Sequence, residues 1–325
     1  MVKFGLKVAA VVVASTAFFT ACSTPATPSA SAGGSESAPA AKTLKIGVTF
    51  PILDQFLQKV ADGITAEAKV KGVEVTIVAA DEKTDVQLGQ VENFVSQKVD
   101  AILVIPVDTD AAGPMTDAAQ AANIPLVYVN RRPSDLPDGV PYVGSDSLYA
   151  GTVEMEQLAK LAGGKGNVVI LQGDPANEAA VLRTKGCNDV VAKNPGMKVI
   201  KTQAGNWARD KGQSIMENWL QSGDDIKVVC ANNDEMALGA INAIKAAKKT
   251  LGADGILVGG VDATSDALAA MTAKDLAVTV FQDAKGQGGG GVDAAVKLIA
   301  GETVGSVDVP YVLVTPENMA EFASK

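Results

Sequence analysis

The chain has 325 residues, enough for about two domains of ~150 residues, and 47% of them are hydrophobic while 20% are charged, as in globular proteins. Acidic residues outnumber basic ones by 37 to 28, and this negative balance disfavours a nucleic-acid partner because it repels phosphate groups. The chain contains no histidine, which excludes Ser-His-Asp and Cys-His catalysis and every metal site that requires an imidazole.

Residues 1–21 have the pattern of a signal peptide. Lys3 and Lys7 precede an uncharged stretch, Val8 to Ala21, which is shorter than the ~20 apolar residues of a membrane span. Cys22 follows directly, and this order resembles the lipobox of bacterial lipoproteins, which implies that Cys22 is the acylated N-terminus and lipid anchor. A plain secretory signal cut near Ala21 is the alternative. Either kind of signal would place the mature protein outside the cytoplasm. The lipoprotein signal would also anchor it to the cell membrane.

Residues 22–42 are predicted to be a flexible tether. They consist almost entirely of Ser, Thr, Pro, Ala and Gly, which cannot bury enough apolar surface to order the segment.

From Leu44 onward, short runs rich in Val and Ile alternate with longer segments of helical spacing. Helices are predicted over 54–71 and 85–97. Strands are predicted over 44–50, 73–79, 101–105, 126–129, 140–144, 168–171, 198–202, 227–230, 256–260 and 277–281. This alternation predicts an α/β fold of parallel strands with crossover helices, and so many strands favour two doubly wound sheets. The first crossing between them is placed near Gly144–Asp146, after a break in the pattern over 132–139.

Polar residues follow most of these strands, where doubly wound sheets bind their ligands. They are Asp54, Asn130, Arg131, Asn232, Asn233, Asp234, Asp262, Gln282 and Asp283. Phe56 and Trp207 add one aromatic ring to each half. Asp and Asn at these places are also common helix N-caps, and the two rings could belong to the core. Arg131 and Gln282 are poor caps, so the set as a whole favours a binding site.

Amides, carboxylates and a guanidinium group beside two aromatic rings suit a sugar. The apolar C–H faces of a pyranose pack on aromatic rings, while planar polar groups bind adjacent hydroxyls in pairs.

Four segments resemble the periplasmic sugar-binding proteins of ABC importers, of the ribose- and galactose-binding type. The most specific is CANNDEMALGA at 230–240, supported by NIPLVYVNR at 123–131, VGGVD at 258–262 and LAVTVFQ at 276–282. The resemblance covers residues 43–315 and implies two lobes, 43–144 plus 283–310 and 145–282 plus 311–325. It also implies a three-crossing hinge, with crossings near 144–146, 282–283 and 310–312, and a ligand cleft between the lobes.

The resemblance also implies roles for individual residues. Phe56 and Trp207 would sandwich the sugar ring, and Asp54, Asn130, Arg131, Asn233, Asp262 and Gln282 would bind its hydroxyls. The pair of rings is closer to galactose-binding members and favours a hexose-sized ligand or a cyclitol. The loop at 173–183 departs from that branch and offers Asn177. Arg183 matches a family arginine, for which a structural ion pair is the alternative.

The galactose-binding branch has an acidic calcium loop, but residues 162–166 (AGGKG) contain no carboxylate, so no metal is predicted. No cofactor is predicted either. The expected protein is a monomeric binding protein and not an enzyme, which delivers a monosaccharide or cyclitol to ABC permease subunits after hinge closure.

Three other functions fit part of the pattern. A chemoreceptor-linked sensor of a sugar or a furanosyl signal would share every site residue. A regulator of the lactose-repressor type would need an N-terminal DNA-binding domain. A glycosidase would use Asp54 and Asp262 as its carboxylate pair.

Two further features remain open in the sequence. The run GQGGGG at 286–291 invites a phosphate-loop interpretation, but it lacks the Gly-Lys-Ser/Thr ending, and close helix packing explains it as well. Cys187 and Cys230 could form a disulfide or remain buried thiols.

Overall fold

Twelve strands and nine α-helices alternate along residues 42–324, the part of the chain that the computed structural model describes. The predicted signal peptide, the anchor residue Cys22 and all of the tether except Lys42 lie outside these residues. The unit described below runs from Thr43 onward.

The strands agree closely with those expected from the sequence. They are β1 (Lys45–Phe50), β2 (Glu74–Ala79), β3 (Ala101–Val104), β4 (Leu126–Val129), β5 (Tyr142–Gly144), β6 (Lys165–Gln172), β7 (Gly196–Ala204), β8 (Ile226–Ala231), β9 (Leu257–Gly259), β10 (Thr279–Phe281), β11 (Val307–Asp308) and β12 (Val312–Val314). The two short strands β11 and β12 carry too little pattern to be predicted.

The helices connect these strands as crossovers. They are α1 (Gln55–Lys71), α2 (Thr84–Ser96), α3 (Gly113–Ala121), α4 (Ser147–Leu161), α5 (Glu178–Ala192), α6 (Arg209–Gln221), α7 (Asp234–Ala246), α8 (Ser265–Thr272) and α9 (Ala284–Ile299), and a short 3-10 helix, Met319–Phe322, follows near the end.

The strands form two parallel sheets. The first has the order β11-β5-β4-β3-β1-β2, and the second has the order β7-β6-β8-β9. β10 continues the second sheet through single parallel bridges, Gly259 to Val278 and Asp262 to Phe281, and it pairs antiparallel with β12. The predicted α/β fold with two doubly wound sheets is confirmed.

Each sheet is buried on both faces, as parallel sheets require. Along β6, Val168 and Ile170 pack into the cluster beneath α4 and α5, whereas Val169 and Leu171 pack into the cluster beneath α6 and α7. The first sheet has the same arrangement, with α1 and α9 on one face and α2 and α3 on the other.

The chain crosses between the sheets three times. It leaves the first sheet after Gly144, returns after Phe281 to α9, and crosses again between β11 and β12. Three chain segments therefore join two lobes, and a cleft lies between them. This is the arrangement that the sequence predicted. The lobe boundaries given above stay a prediction.

The glycine-rich run lies inside α9 and packs against α1. A Cβ atom on Gly288 would lie 2.2 Å from the carbonyl oxygen of Val60, and one on Gly63 would lie 2.5 Å from that of Lys285. A side chain at either position would force α1 and α9 apart, so helix packing accounts for Gly63 and Gly288.

Cys187 of α5 and Cys230 of β8 are joined by a disulfide within the core of the second lobe. Among residues 42–324, no helix is both long enough and apolar enough to cross a membrane.

Candidate ligand-binding cleft

A cavity with about 410 Å³ of empty space lies between the carboxyl ends of the two sheets. Its lining consists of Asp54, Phe56, Leu57, Asn130, Arg131, Ala179, Arg183, Trp207, Asn233, Asp262 and Gln282. Nine of the ten residues predicted to bind a ligand are in this set, and Asn177 is not. Leu57 and Ala179 complete the lining; both are apolar, so no polar signal marks them in the sequence.

Asp54 closes the first turn of α1 and faces the cavity at the same time. Its Oδ1 accepts a hydrogen bond from the Leu57 N–H at 2.7 Å, so it is the N-cap of α1. Burial raises the pKa of the Asp54 carboxyl, while the bond from Leu57 and the charge of Arg131 oppose that rise. The N-cap role and the cavity position therefore occur in one residue.

Asn130 and Arg131 follow β4 and are held by contacts within the first lobe. Asn130 Nδ2 donates to Gln287 Oε1 at 2.9 Å, and Arg131 Nη1 donates to the carbonyl oxygen of Pro106 at 3.1 Å. Burial lowers the pKa of Arg131 to about 10, with Asp54 opposing that shift, so the guanidinium stays charged at neutral pH.

Arg183 of α5 is buried at the hinge and connects two of the three crossings. Its Nη2 donates to Gln282 Oε1 at 2.9 Å and to the Tyr311 hydroxyl at 2.6 Å, and its Nη1 donates to the carbonyl oxygen of Asn232 at 2.7 Å. These partners are uncharged, so the alternative of a structural ion pair does not describe them. Among the residues described, its Nε has no hydrogen-bond partner. The contact of Arg183 with Tyr311 was not predicted; the sequence placed only a hinge crossing near 310–312.

Trp207 is fixed at its edge and on its face. Its Nε1 donates to Asn177 Oδ1 at 2.8 Å, and a Cβ atom on Gly173 would lie 2.2 Å from its six-membered ring. The Arg183 guanidinium carbon lies 5.6 Å from the ring centroid, a distance typical of a cation–π contact.

Asn177 itself is fully buried and has both ends of its amide engaged. Besides accepting from Trp207, it donates from Nδ2 to the carbonyl oxygen of Val107 at 2.8 Å. It therefore lies behind the aromatic wall of the cavity.

Asn233 and Asp262 line the second lobe's side of the cavity. Asn233 Oδ1 accepts from the Met236 N–H at 3.0 Å and caps α7, and its Nδ2 donates to the carbonyl oxygen of Trp207 at 3.1 Å. Burial raises the pKa of the Asp262 carboxyl well above its usual range; Arg183 opposes the rise and Asp234 adds to it.

Three lining residues adopt the left-handed backbone region that non-glycine residues rarely occupy. The φ angles are 63° at Asn130, 67° at Trp207 and 121° at Asp262. Such strain is found where the surrounding structure holds a side chain in a required position, which is characteristic of functional sites.

Within residues 42–324, one group of three potential metal ligands lies close together, Glu154 with Cys187 and Cys230. The two cysteines are bonded to each other, and none of the three residues lines the cavity. That the protein uses no metal and no cofactor stays a prediction.

Comparison with known proteins identifies the class. The sequence profile described as "Periplasmic binding protein domain" matches residues 46–303. A protein of Rhizobium meliloti named "Putative rhizopine-binding protein" is 44% identical, covering 88% of this chain and 94% of that protein. The xylitol-binding protein of Mycolicibacterium smegmatis is 36% identical, covering 88% of this chain and 81% of that protein. An ABC transporter solute-binding protein of Bacillus halodurans with bound myo-inositol has a TM-score of 0.84 and 41% identity, covering 88% of this chain and 99% of that one.

The chain belongs to the periplasmic binding protein family. The resemblance inferred from the four sequence segments is therefore confirmed, as is the prediction that the chain is a binding protein of ABC-importer type and not an enzyme. Its place of action is extracytoplasmic.

Proposed function

We propose that this protein captures a ring-shaped polyol, a monosaccharide or a cyclitol, in the cleft between its lobes and presents it to ABC permease subunits. The main support is the lining of the cavity. Carboxyl and guanidinium groups surround the same space, from Asp54 and Arg131 of one lobe and from Asp262 and Arg183 of the other. We further propose that the protein works as a monomer attached to the membrane through a lipid on Cys22.

The electrostatics of the cavity favour a ligand rich in hydroxyl groups. Burial penalises the charged forms of Asp54 and Asp262, and hydroxyl donors from a ligand would offset that penalty. Hydrogen bonds to charged groups contribute about 1.5–3 kcal/mol each. The unpartnered Nε of Arg183 offers a donor to a ligand oxygen.

The two aromatic residues of the lining favour a ring-shaped ligand. Phe56 and Trp207, one from each lobe, would cover the apolar faces of such a ring.

Among ring-shaped polyols, a cyclitol is the first candidate. The support is the similarity to the solute-binding protein of Bacillus halodurans that holds myo-inositol, at 41% identity over nearly its whole length. Xylitol is an open-chain polyol and serves as the comparison ligand, because a xylitol-binding protein is also a relative.

Binding would drive closure of the lobes. The two lobes supply different parts of the lining, so only the closed arrangement makes every contact with a ligand. A ligand that prefers the closed state shifts the population toward it, and a permease that recognises the closed shape then detects an occupied protein.

Thermal unfolding of the full chain in detergent tests this proposal, with myo-inositol, xylitol, ribose and galactose as probes. A ligand at 100 times its Kd adds about 2.7 kcal/mol to the unfolding free energy. We expect a clear rise in Tm with at least one of the three ring-forming probes, myo-inositol, ribose and galactose. No rise with any of them would contradict the proposed ligand class.

Membrane attachment is tested separately by fractionating cells that express the wild-type chain or Cys22→Ala. We expect the wild type in the membrane fraction and the variant in the soluble fraction. Equal distribution of both would contradict the lipid anchor.

A further inference from the structure

Asn177 bridges the two lobes while lying outside the cavity lining. It directly precedes α5 in the second lobe, and its Nδ2 donates to the carbonyl oxygen of Val107, which follows β3 in the first lobe, at 2.8 Å. Its Oδ1 accepts from Trp207 Nε1, also at 2.8 Å. One amide thus joins the opposite lobe to the aromatic wall of its own lobe.

Two residues next to this contact, Thr109 and Ala176, also connect the two lobes. The backbone N–H and the hydroxyl of Thr109 each donate to the carbonyl oxygen of Ala176, both at 3.0 Å. Together with the bond from Asn177, three hydrogen bonds join residues 107–109 to residues 176–177, and we call this set the latch.

Asn177 is not used for the local role that its position predicts. It is the N-cap residue of α5, but its side chain makes no capping hydrogen bond to that helix. An asparagine at an N-cap usually bonds to the helix N–H groups. Here both ends of the amide are committed to long-range partners, with no exposure to solvent.

We propose that Asn177 is a positioning residue that couples closure of the cleft to the orientation of Trp207. When the lobes separate, Nδ2 loses Val107 as its acceptor, and the amide that holds Trp207 Nε1 loses its fixed position. When the lobes close, the latch fixes the position of the Asn177 amide. The amide in turn fixes the orientation of the Trp207 ring. The ligand-related part of this proposal rests on the proposed function, whereas the latch itself does not.

Two variants separate the parts of this arrangement. Asn177→Asp keeps an oxygen to accept from Trp207 Nε1 but replaces the donor to Val107 with a second oxygen. Thr109→Val removes the hydroxyl bond to Ala176 and leaves Asn177 unchanged. Asn188→Asp is the matched control, since it makes the same chemical change at an exposed position of the same helix.

The first measurement is the release rate of bound myo-inositol, or of whichever probe raises the Tm most, by stopped-flow mixing. The loss of one hydrogen bond changes the release rate by a factor of roughly five, and two oxygen atoms that face each other destabilise the closed state further. We expect release to be roughly tenfold faster in Asn177→Asp and roughly fivefold faster in Thr109→Val, with association rates unchanged. Asn188→Asp should release ligand at the wild-type rate.

The second measurement needs no ligand. The Thr109 amide is protected by Ala176 in the closed state, so its hydrogen exchange reports opening of the latch. We expect faster exchange across residues 106–112 in Asn177→Asp than in the wild type, with a cooperative unfolding transition in both proteins as the folding control.

Wild-type exchange and wild-type release in both latch variants would overturn the proposal. If the wild type binds none of the polyols, the proposed function fails, and the exchange measurement still decides whether the latch exists. If Asn177→Asp does not fold, Thr109→Val carries the same test, because its substitution preserves side-chain shape.

Discussion

The two walls of the cleft are built in different ways. On the side of the first lobe, Asp54 is fixed by capping its own helix and Arg131 by a carbonyl from the preceding loop of the same lobe. On the side of the second lobe, Arg183 is held by Gln282 and Tyr311, which lie on two of the hinge crossings. Asp54 and Arg131 are therefore fixed within the first lobe, whereas Arg183 depends on the hinge being assembled.

This difference implies that Arg183 responds to closure, whereas Asp54 and Arg131 do not. A polar group fixed within one lobe keeps its position when the lobes separate. Groups whose partners lie on the crossings or across the cleft, such as Arg183 and Asn177, lose or change those partners.

Replacing the two buried arginines should show the contrast most strongly. Arg183→Met leaves three acceptors at the hinge without their donor, so we expect the unfolding free energy to fall by about 3 kcal/mol or more. Arg131→Met affects carbonyl oxygens of one loop, and we expect about 1–2 kcal/mol. Urea unfolding followed by circular dichroism measures both. An equal or larger loss in Arg131→Met would contradict the difference between the walls.

Removing the aromatic ring of the second wall should abolish tight binding while preserving the fold. Trp207→Ala deletes one face of the proposed sandwich, and we expect affinity to fall roughly 100-fold, as for a central aromatic contact. Calorimetric titration measures the Kd, and circular dichroism serves as the folding control. Wild-type affinity in this variant would rule out the sandwich.

Displacing the same ring without deleting it should have an intermediate effect. A methyl group on Gly173 would meet the Trp207 ring at 2.2 Å, so Gly173→Ala should shift the ring and weaken binding roughly tenfold. Gly89→Ala is the matched control, because a Cβ atom there has no atom within 4 Å among the residues described. If the two glycine variants bind equally well, the exact placement of the ring does not matter.

The smallest effect concerns pH. Burial raises the pKa of Asp234, a neighbour of Asp262 in the second lobe, and bonds from Thr264 and Thr279 oppose the rise. The folded state therefore retains this proton to higher pH than the unfolded chain. The resulting stability is present near pH ~4, where an unfolded Asp titrates, and is lost as pH rises through the folded pKa.

Asp234→Asn should therefore flatten the dependence of unfolding free energy on pH between about 4 and 8. Asp135 is exposed, so Asp135→Asn is the control that removes a carboxyl from the surface. A slope in Asp234→Asn as steep as that of the wild type would show that this carboxyl does not titrate as described.

The sequence predicted the parts of the site that follow from strand ends. Asp54, Asn130, Arg131, Asn233 and Asp262 each come directly after a strand or its short turn, and parallel strands bring such positions to one edge. Asp54 and Asn233 are both helix caps and part of the cavity lining, because a cap at that edge also faces the cleft. Their role in binding a ligand stays a prediction.

Other residues could not be found in this way, because their partners lie far along the chain. Asn177 was expected to face the ligand, and its partner Val107 lies 70 positions earlier. Tyr311 reaches Arg183 across 128 positions. No periodicity in the sequence reports such contacts, which exist only after both lobes have folded and met.

The proposed binding mode packs a polyol ring on Trp207 between the two lobes. The chain has only two tryptophans, and Trp219 is buried in the core, so a Trp219→Phe chain reports on Trp207 alone. We would titrate that protein with myo-inositol, galactose and ribose, with open-chain xylitol as the comparison, and follow tryptophan emission. We expect a saturable change at one site per chain with at least one of the three ring-forming polyols. Emission that does not respond to any of these three would contradict the packing of a ring on Trp207.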